Sequence, residues 1–242
     1  MSEPERPSNE PARLRRPGVR YVVGTFLGPF VEGVLLFAAA GTVAVPRAWL
    51  FLGVSLVGMV GQTIIVAIKN PGLVNHRGGW RQKKDTKRWD RLLLPAFGLL
   101  SFYAAPVVMG LDVGRCHWSG LGVWSALLGT ALFMVGTDVL TWAMLANTHF
   151  EATVRIQRDR DHTVVTKGPY AYVRHPGYVG ASLWALSGPL MVGSAVGLIP
   201  AALSVLVLVV RTALEDHTLQ RELTGYTAYA QRVRYRLVPG LW

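Results

Sequence analysis

The residues with the most chemistry in them lie in two short stretches of the second half of the chain. The first is KGPYAYVRHPGY, Lys167 to Tyr178. The proline after His175 disfavours helical geometry at His175, while Pro176 itself suits the first turn of a helix. A helix that starts at Pro176, with His175 at its cap, turns backbone NH groups and a positive dipole end toward an anion such as a carboxylate. Arg174 and His175 add side-chain donors, and Gly168-Pro169 makes a turn just upstream. Tyr170, Tyr172 and Tyr178 supply ring faces, which hold a flat heterocycle or attract a cation at about 0.5–2 kcal/mol each. The second stretch is Arg211, Glu215 and Asp216. Arg211 and Glu215 are four residues apart and share a helix face. Either they form a local ion pair, or Arg211 orients Glu215 and the carboxylate holds an ammonium or another cationic centre. A plainer reading of the first stretch is a membrane-interface turn in which Arg snorkels and Tyr anchors, although an anchor has no need of His-Pro.

The elements that must position these groups are membrane spans. Of the 242 residues 51% are hydrophobic and only 16% are charged, and mean hydropathy is +0.31, which is too apolar for an ordinary soluble domain. A span needs about 20 mainly apolar residues. Windows that meet or approach this run from Tyr21 to Val43, Ala48 to Ile68, Leu92 to Leu111, Leu121 to Ala146, Tyr178 to Gly193 and Ala195 to Val210. The expectation is an all-α polytopic bundle of about six spans. Its last two are short and meet at Gly193-Ser194 as a tight hairpin. The last helix is expected to run on from Ala195 to Leu223, so it projects into the cytoplasm until Gly225 ends it. The aromatic and basic tail beyond suits the headgroup layer.

Charge gives the orientation. Of the 25 Lys and Arg residues, all but Arg47 and Arg115 precede the first span, lie in the 69–91 loop, lie between Ala146 and Tyr178, or follow from Arg211 onward. By the positive-inside rule both termini and both motif stretches face the cytoplasm. This predicts a multi-pass protein of the cell inner membrane with a cytoplasmic site. Residues 1–20 read as a disordered basic tail, 21–118 as three spans around the basic loop, and 119–242 as the region that carries the chemistry. The net charge of +11 follows from this loop bias and suits anionic headgroups. No nucleic-acid reader motif accompanies it, so nucleic acid is not an expected partner. Six scattered His residues without ligand spacing give no metal site, and a single Cys116 excludes an internal disulfide. Asp138, deep in the fourth span, either bonds across helices or lines a polar cavity. Asn147, His149 and Glu151 sit where that span ends and satisfy its last carbonyls.

With both clusters in view, the pattern resembles the isoprenylcysteine carboxyl methyltransferase family and the related phospholipid methyltransferases. The matching text is GPYAYVRHPGYVG, preceded by Asn147 and VRIQ, and followed by Arg211, Glu215-Asp216, ELTGY and VRYRLVPGLW, within Trp142 to Trp242. The resemblance implies an integral membrane enzyme that binds S-adenosylmethionine at the cytoplasmic side and methylates a lipophilic or lipid-linked acceptor on a carboxylate, amine or thiol. It carries a cofactor-binding role onto Arg174, His175, Pro176, Tyr178, Glu215 and Asp216, to which the turn adds Gly168 and Tyr170. It makes Glu215, Arg211 and His175 the candidate catalytic residues. Family members commonly have two glutamates at the acidic pair, so Asp216 is a departure that keeps the charge. Gly120-Leu121-Gly122 sits at the outer end of the fourth span and carries no role over from the phospholipid branch. Oligomeric state is open.

Two other readings remain. Membrane sterol reductases carry a related Arg-His-x-Asn-Tyr signature and use NADPH, but this chain has Pro-Gly where the Asn would be expected. A non-catalytic membrane protein would place no ligand on either cluster.

Overall fold

The computed structural model describes residues 13–79, 83 and 85–242, and every regular element among them is helical. The order is α1 (Arg16–Ala40), α2 (Pro46–Lys69), α3 (Pro71–Gly78), α4 (Asp90–Leu99), α5 (Ala105–Gly110), α6 (Val123–Ala146), α7 (Pro176–Val192), α8 (Leu198–Glu222) and α9 (Tyr226–Arg232). A π-turn at Leu100–Ala104 joins α4 to α5 and another at Leu111–Cys116 extends α5, so Asp90–Cys116 is one continuous rod. Five helices are long and apolar enough to cross a membrane: Arg16–Ala40, Pro46–Lys69, Asp90–Cys116, Val123–Ala146 and Leu198–Glu222. The fifth expected span, α7, has 17 residues and is about 26 Å long at 1.5 Å per residue.

Several expected boundaries move, each for a visible reason. The tail expected to run to residue 20 ends earlier, because Pro17 starts α1 and Asn75 of α3 holds the approach: the Arg15 amide donates to Asn75 Oδ1 at 2.7 Å and Asn75 Nδ2 donates to the Arg13 carbonyl at 3.2 Å. Residues 1–12 of that tail lie outside the described residues, as do 80–82 and 84 of the basic loop. The same loop holds an unexpected helix, α3, which Pro71 begins and the Asn70 side chain caps by accepting the Leu73 amide at 2.9 Å. The final span begins at Leu198, not Ala195, and at 25 residues it is not short.

That last shift comes from the way the hairpin turn is satisfied. Gly193 ends α7 in the left-handed region at φ 94°, the conformation that favours glycine at a helix end. Arg47 of α2 then closes α7: Nε donates to the Met191 carbonyl at 2.8 Å, and Nη2 donates to the Leu190 carbonyl and to Ser125 Oγ at 2.7 Å each. Its Nη1 donates to the Leu121 carbonyl at 2.6 Å. On the other side Asp112 accepts from the hydroxyls of Ser119 and Ser194. Those oxygens in turn accept the amides of Ala195, Val196 and Gly197. A cation thus sits at the negative end of one helix and an anion near the positive start of the next, and the three capped amides defer the helix to Leu198.

Small residues bring α7 onto α6. A Cβ on Gly136 would come 2.9 Å from the Gly180 carbonyl, and one on Gly180 would come 2.7 Å from the Gly136 carbonyl. Without side chains there, the two backbones touch, as membrane helices do where small residues face each other. The 21–118 spans and the 119–242 region form one bundle, since α2 packs on α6 and α7 and α4 packs on α8. Buried Leu36, Phe51, Met109, Phe133 and Met191 form one core cluster, and Val66, Leu73, Leu140 and Met144 form another. Two tyrosines of the tail turn inward, while Arg232, Arg234 and Tyr235 stay exposed. Tyr226 and Tyr229 are buried against Ala143, Tyr170 and Leu223.

Replacing Arg47 with Leu should orphan the Leu121, Leu190 and Met191 carbonyls at about 1–3 kcal/mol for each one left buried. Thermal unfolding in detergent is expected to fall by several degrees, with Arg47→Lys recovering part of the loss.

Candidate active site

α7 starts at Pro176 with His175 as its N-cap residue at φ −127° and ψ 60°, as the His-Pro pair predicts. The approach is held by the far end of the chain: the Arg174 amide donates to the Tyr235 carbonyl and the His175 amide to the Arg236 carbonyl, both at 3.0 Å. Upstream, Gly168 adopts φ 64° and opens a 3-10 turn over Gly168–Ala171. A side chain there would meet Trp142 and Ala146 at about 3 Å, so glycine serves the turn itself.

The side chains of Arg174 and His175 converge on Asp216, which is fully buried. Arg174 Nη2 donates to Asp216 Oδ2 at 3.1 Å and Arg174 Nε lies 2.9 Å from Oδ1. His175 Nε2 is 3.3 Å from Oδ1, and Tyr226 donates its hydroxyl to the same oxygen at 2.9 Å. Gln220 Nε2 and Arg236 Nε donate to Oδ2 at 2.8 and 2.9 Å. Asp216 is therefore the counter-ion of a buried network that joins α7, α8, α9 and the tail. Burial and the neighbouring Asp216 carboxylate push the Tyr226 phenol well above its ordinary value, which keeps it a donor.

Glu215, the next residue, is half-buried and turns elsewhere: it accepts the Tyr178 hydroxyl. The direct Arg211–Glu215 pair expected from the spacing is not made. Buried Arg211 gives Nε to Asp90 Oδ1 at 2.6 Å and Nη2 to the Ala152 carbonyl at 2.7 Å, and its guanidinium stands 5.4 Å from the Tyr178 ring centroid. Asp90 is fully buried and also accepts the Val154 amide at 2.7 Å. A buried guanidinium is best satisfied by an equally buried carboxylate whose other oxygen is bonded, and Asp90 offers both. Arg211 reaches Glu215 only through Tyr178. Asp90 is the residue that sequence reasoning missed; its one signal is an acid in the first turn of a span after a basic loop.

Tyr170 is buried, its hydroxyl accepting from Asn147 Nδ2 at 3.1 Å and its carbonyl accepting from Tyr229 at 2.7 Å. Burial raises its phenol. Tyr172 does not face the site: it is 66% exposed and packs on Trp142. Asp138 is also turned outward on α6 and exposed, and among the described residues it bonds to no other helix. Asn147 bonds Tyr170, and Glu151 holds buried Arg155, which also binds Asp85 and Asp159. Burial alone would lower the Arg155 guanidinium, but the three carboxylates raise it on balance. Gly120-Leu121-Gly122 lies at the opposite end of α6, where the Leu121 carbonyl accepts from Arg47. Among the described residues no group of His, Cys, Asp and Glu is arranged to hold a metal ion.

This geometry can seat a small cationic ligand. It presents a half-buried carboxylate beside the Tyr178 and Tyr170 rings, while Asp90 neutralises the nearby guanidinium. Residues 128–221 match the family model described as the isoprenylcysteine carboxyl methyltransferase (ICMT) family, and that stretch contains both motif clusters. The protein-S-isoprenylcysteine O-methyltransferase of Schizosaccharomyces pombe is 47% identical over 49 residues, 20% of this chain and 21% of that protein. The Arabidopsis thaliana protein-S-isoprenylcysteine O-methyltransferase B is 29% identical over 120 residues, 48% of this chain and 58% of that one. The chain thus spans about a fifth and somewhat over half of these relatives. A solved structure of the eukaryotic intramembrane Ras methyltransferase ICMT aligns with a TM-score of 0.52 and 21% identity over 87% of this chain and 74% of that one, a likeness of fold.

Asp216→Asn leaves Arg174 and Arg236 short of a buried counter-charge and should cost about 3–5 kcal/mol, read as a lowered unfolding midpoint. His162 gives a pH test. Burial first and the ring of His149 second hold it down to about 4 from 6.5, against the opposing pull of Glu151. The unfolded chain therefore takes the proton first, and stability present above pH 6.5 drains away as pH falls toward 4. His162→Gln is expected to flatten the unfolding midpoint between pH 7 and 5.

Proposed function

We propose that this chain is an integral membrane methyltransferase that uses S-adenosylmethionine at its cytoplasmic face to esterify a carboxylate on a lipid-linked acceptor. The observation that carries it is the meeting of the two motif clusters, some 40 residues apart in sequence, at the start of α7. The cytoplasmic assignment rests on the near-complete confinement of Lys and Arg to one set of connections.

S-adenosylmethionine, when bound, supplies a methyl group on a sulfonium that leaves as a neutral thioether. The residues fit such a cationic, amino-acid-bearing donor. Glu215 has one oxygen engaged by Tyr178 and its other for an ammonium. Arg174 is held by Asp216 beside the α7 start, its Nε 2.9 Å from Oδ1, which keeps a guanidinium fixed next to the site. The Tyr178 ring already carries Arg211 and His175, so Tyr170 is the ring that would meet a cation. The work left to the protein is to align the reacting groups and to exclude water.

The acceptor class follows from what the site does not hold in reserve. His175 Nε2 lies against Asp216 and Tyr226, and Glu215 already accepts from Tyr178. The Glu215 oxygen that Tyr178 leaves open is the one that meets the donor's ammonium, so an amine acceptor would compete with the donor for its base. A carboxylate needs none removed, since its oxygen forms the new bond as the sulfonium bond breaks. The names of the relatives, O-methyltransferases of isoprenylcysteine, point to the same acceptor chemistry. They also disfavour an NADPH-dependent reductase.

S-adenosylhomocysteine at a hundred times its dissociation constant should stabilise the purified protein by about 2.7 kcal/mol, and NADPH should not. Glu215→Gln is expected to remove that stabilisation while leaving the ligand-free midpoint within about 1 kcal/mol, because Gln still accepts from Tyr178. Stabilisation by NADPH alone would overturn the reading.

A further inference from the structure

Asp138 takes no part in the site, and its placement needs another explanation. It lies on the outer face of α6 in an exposed run of Trp124, Leu128, Ala131, Val135, Asp138 and Trp142. The spacings alternate four and three, so the run forms one continuous seam along the helix, the pattern that interdigitates with a neighbouring helix. Trp124 and Trp142 are 18 residues apart, about 27 Å along the axis, close to the ~30 Å hydrocarbon core. Two exposed tryptophans at that separation mark the two interfaces. Asp138, four residues inside Trp142, sits about 6 Å within the hydrocarbon. Among the described residues none gives it a hydrogen bond or ion pair.

A carboxylate facing lipid at that depth is costly and is normally paired. The occupants differ in what they bring to it. A second copy of this chain docked symmetrically through the same seam would set Asp138 against Asp138. A headgroup ammonium lies on the water side of the tryptophan level. A lysine or arginine on a neighbouring helix carries its charge on a long stem that lies along apolar surface and reaches such a depth. We propose that the outer face of α6 docks a transmembrane helix of another protein, one that carries a lysine or arginine about one turn inside the interface, with Asp138 as its counter-ion. A polar residue at one seam position also fixes the register of the pair. This does not rest on methyl transfer.

The test uses the full chain, donor-labelled, in liposomes with acceptor-labelled leucine-rich transmembrane peptides that carry Lys, Leu or Glu one turn inside the interface. Energy transfer should reach half-saturation at about three- to twentyfold lower density for the Lys peptide than for the Leu peptide. Asp138→Leu is expected to fold, since its side chain faces lipid, and to erase that preference. Asp138→Lys should shift the preference to the Glu peptide and gives a second reading should the Leu variant misfold. Equal binding of the Lys and Leu peptides, or a Lys preference that survives in Asp138→Leu, would overturn the proposal. So would loss of the preference on adding phosphatidylethanolamine, which assigns the site to a lipid, or Asp138-dependent transfer between copies of the chain alone.

Discussion

The buried carboxylate of Asp216 is the point on which the chemical half of the molecule turns. Five side chains from the start of α7, from α8, from α9 and from the tail converge on its two oxygens. Two of them are guanidinium groups, Arg174 buried and Arg236 half-buried. Ordering the tail costs conformational entropy for each residue fixed. The return is a shared ion network in a region where water is excluded, together with burial of Tyr226 and Tyr229. Without Asp216 the tail loses Arg236 as its tether, and the Arg174-His175 backbone loses the reason to pair with Tyr235 and Arg236. The geometry of the α7 start is thus set by residues that follow it by up to 60 positions.

The opposite end of the same hairpin is held by the opposite logic. Arg47 and Asp112 come from the first three spans and close the two helix ends at the hairpin turn. In an apolar surround each open backbone group is expensive, and a 17-residue helix has its C-terminal carbonyls exposed to that cost. The N-terminal spans therefore help to position the site helices. They fix the far end of α7, and so the height and rotation at which Tyr178 meets Glu215. Asp90 does the same for α8 at the near end through Arg211. Each of the two site helices is pinned by one charge from the first half of the chain.

What was legible in the sequence was whatever local rules govern. Pro176 starts its helix because proline lacks an amide that the first turn does not need, and that holds in any context. The apolar windows became helices because length and hydropathy suffice. Ion-pair partners were not legible at all. The i,i+4 rule pairs Arg211 with Glu215, but it describes solvated helix surfaces, and in a buried setting Arg211 took the better-enclosed Asp90, 121 residues away. The tail was legible only in part for a related reason. Its alternation of tyrosine and arginine gives no sign that Tyr226 and Arg236 turn inward to Asp216 while Arg232, Arg234 and Tyr235 stay exposed.

The acidic pair shows why two adjacent like charges need not do like work. Successive residues on an α-helix point about 100° apart. Glu215 and Asp216 therefore face different neighbours, one toward Tyr178 and the other toward Arg174, His175 and the tail. Asp216 is shorter than a glutamate by one methylene, which suits a carboxylate that five donors must approach from α7, α8 and α9 at once. Glu215, longer and half-buried, is the one with reach to spare. The pair divides into Asp216, which holds the buried network together, and Glu215, whose half-buried carboxylate is the group we propose for the ligand.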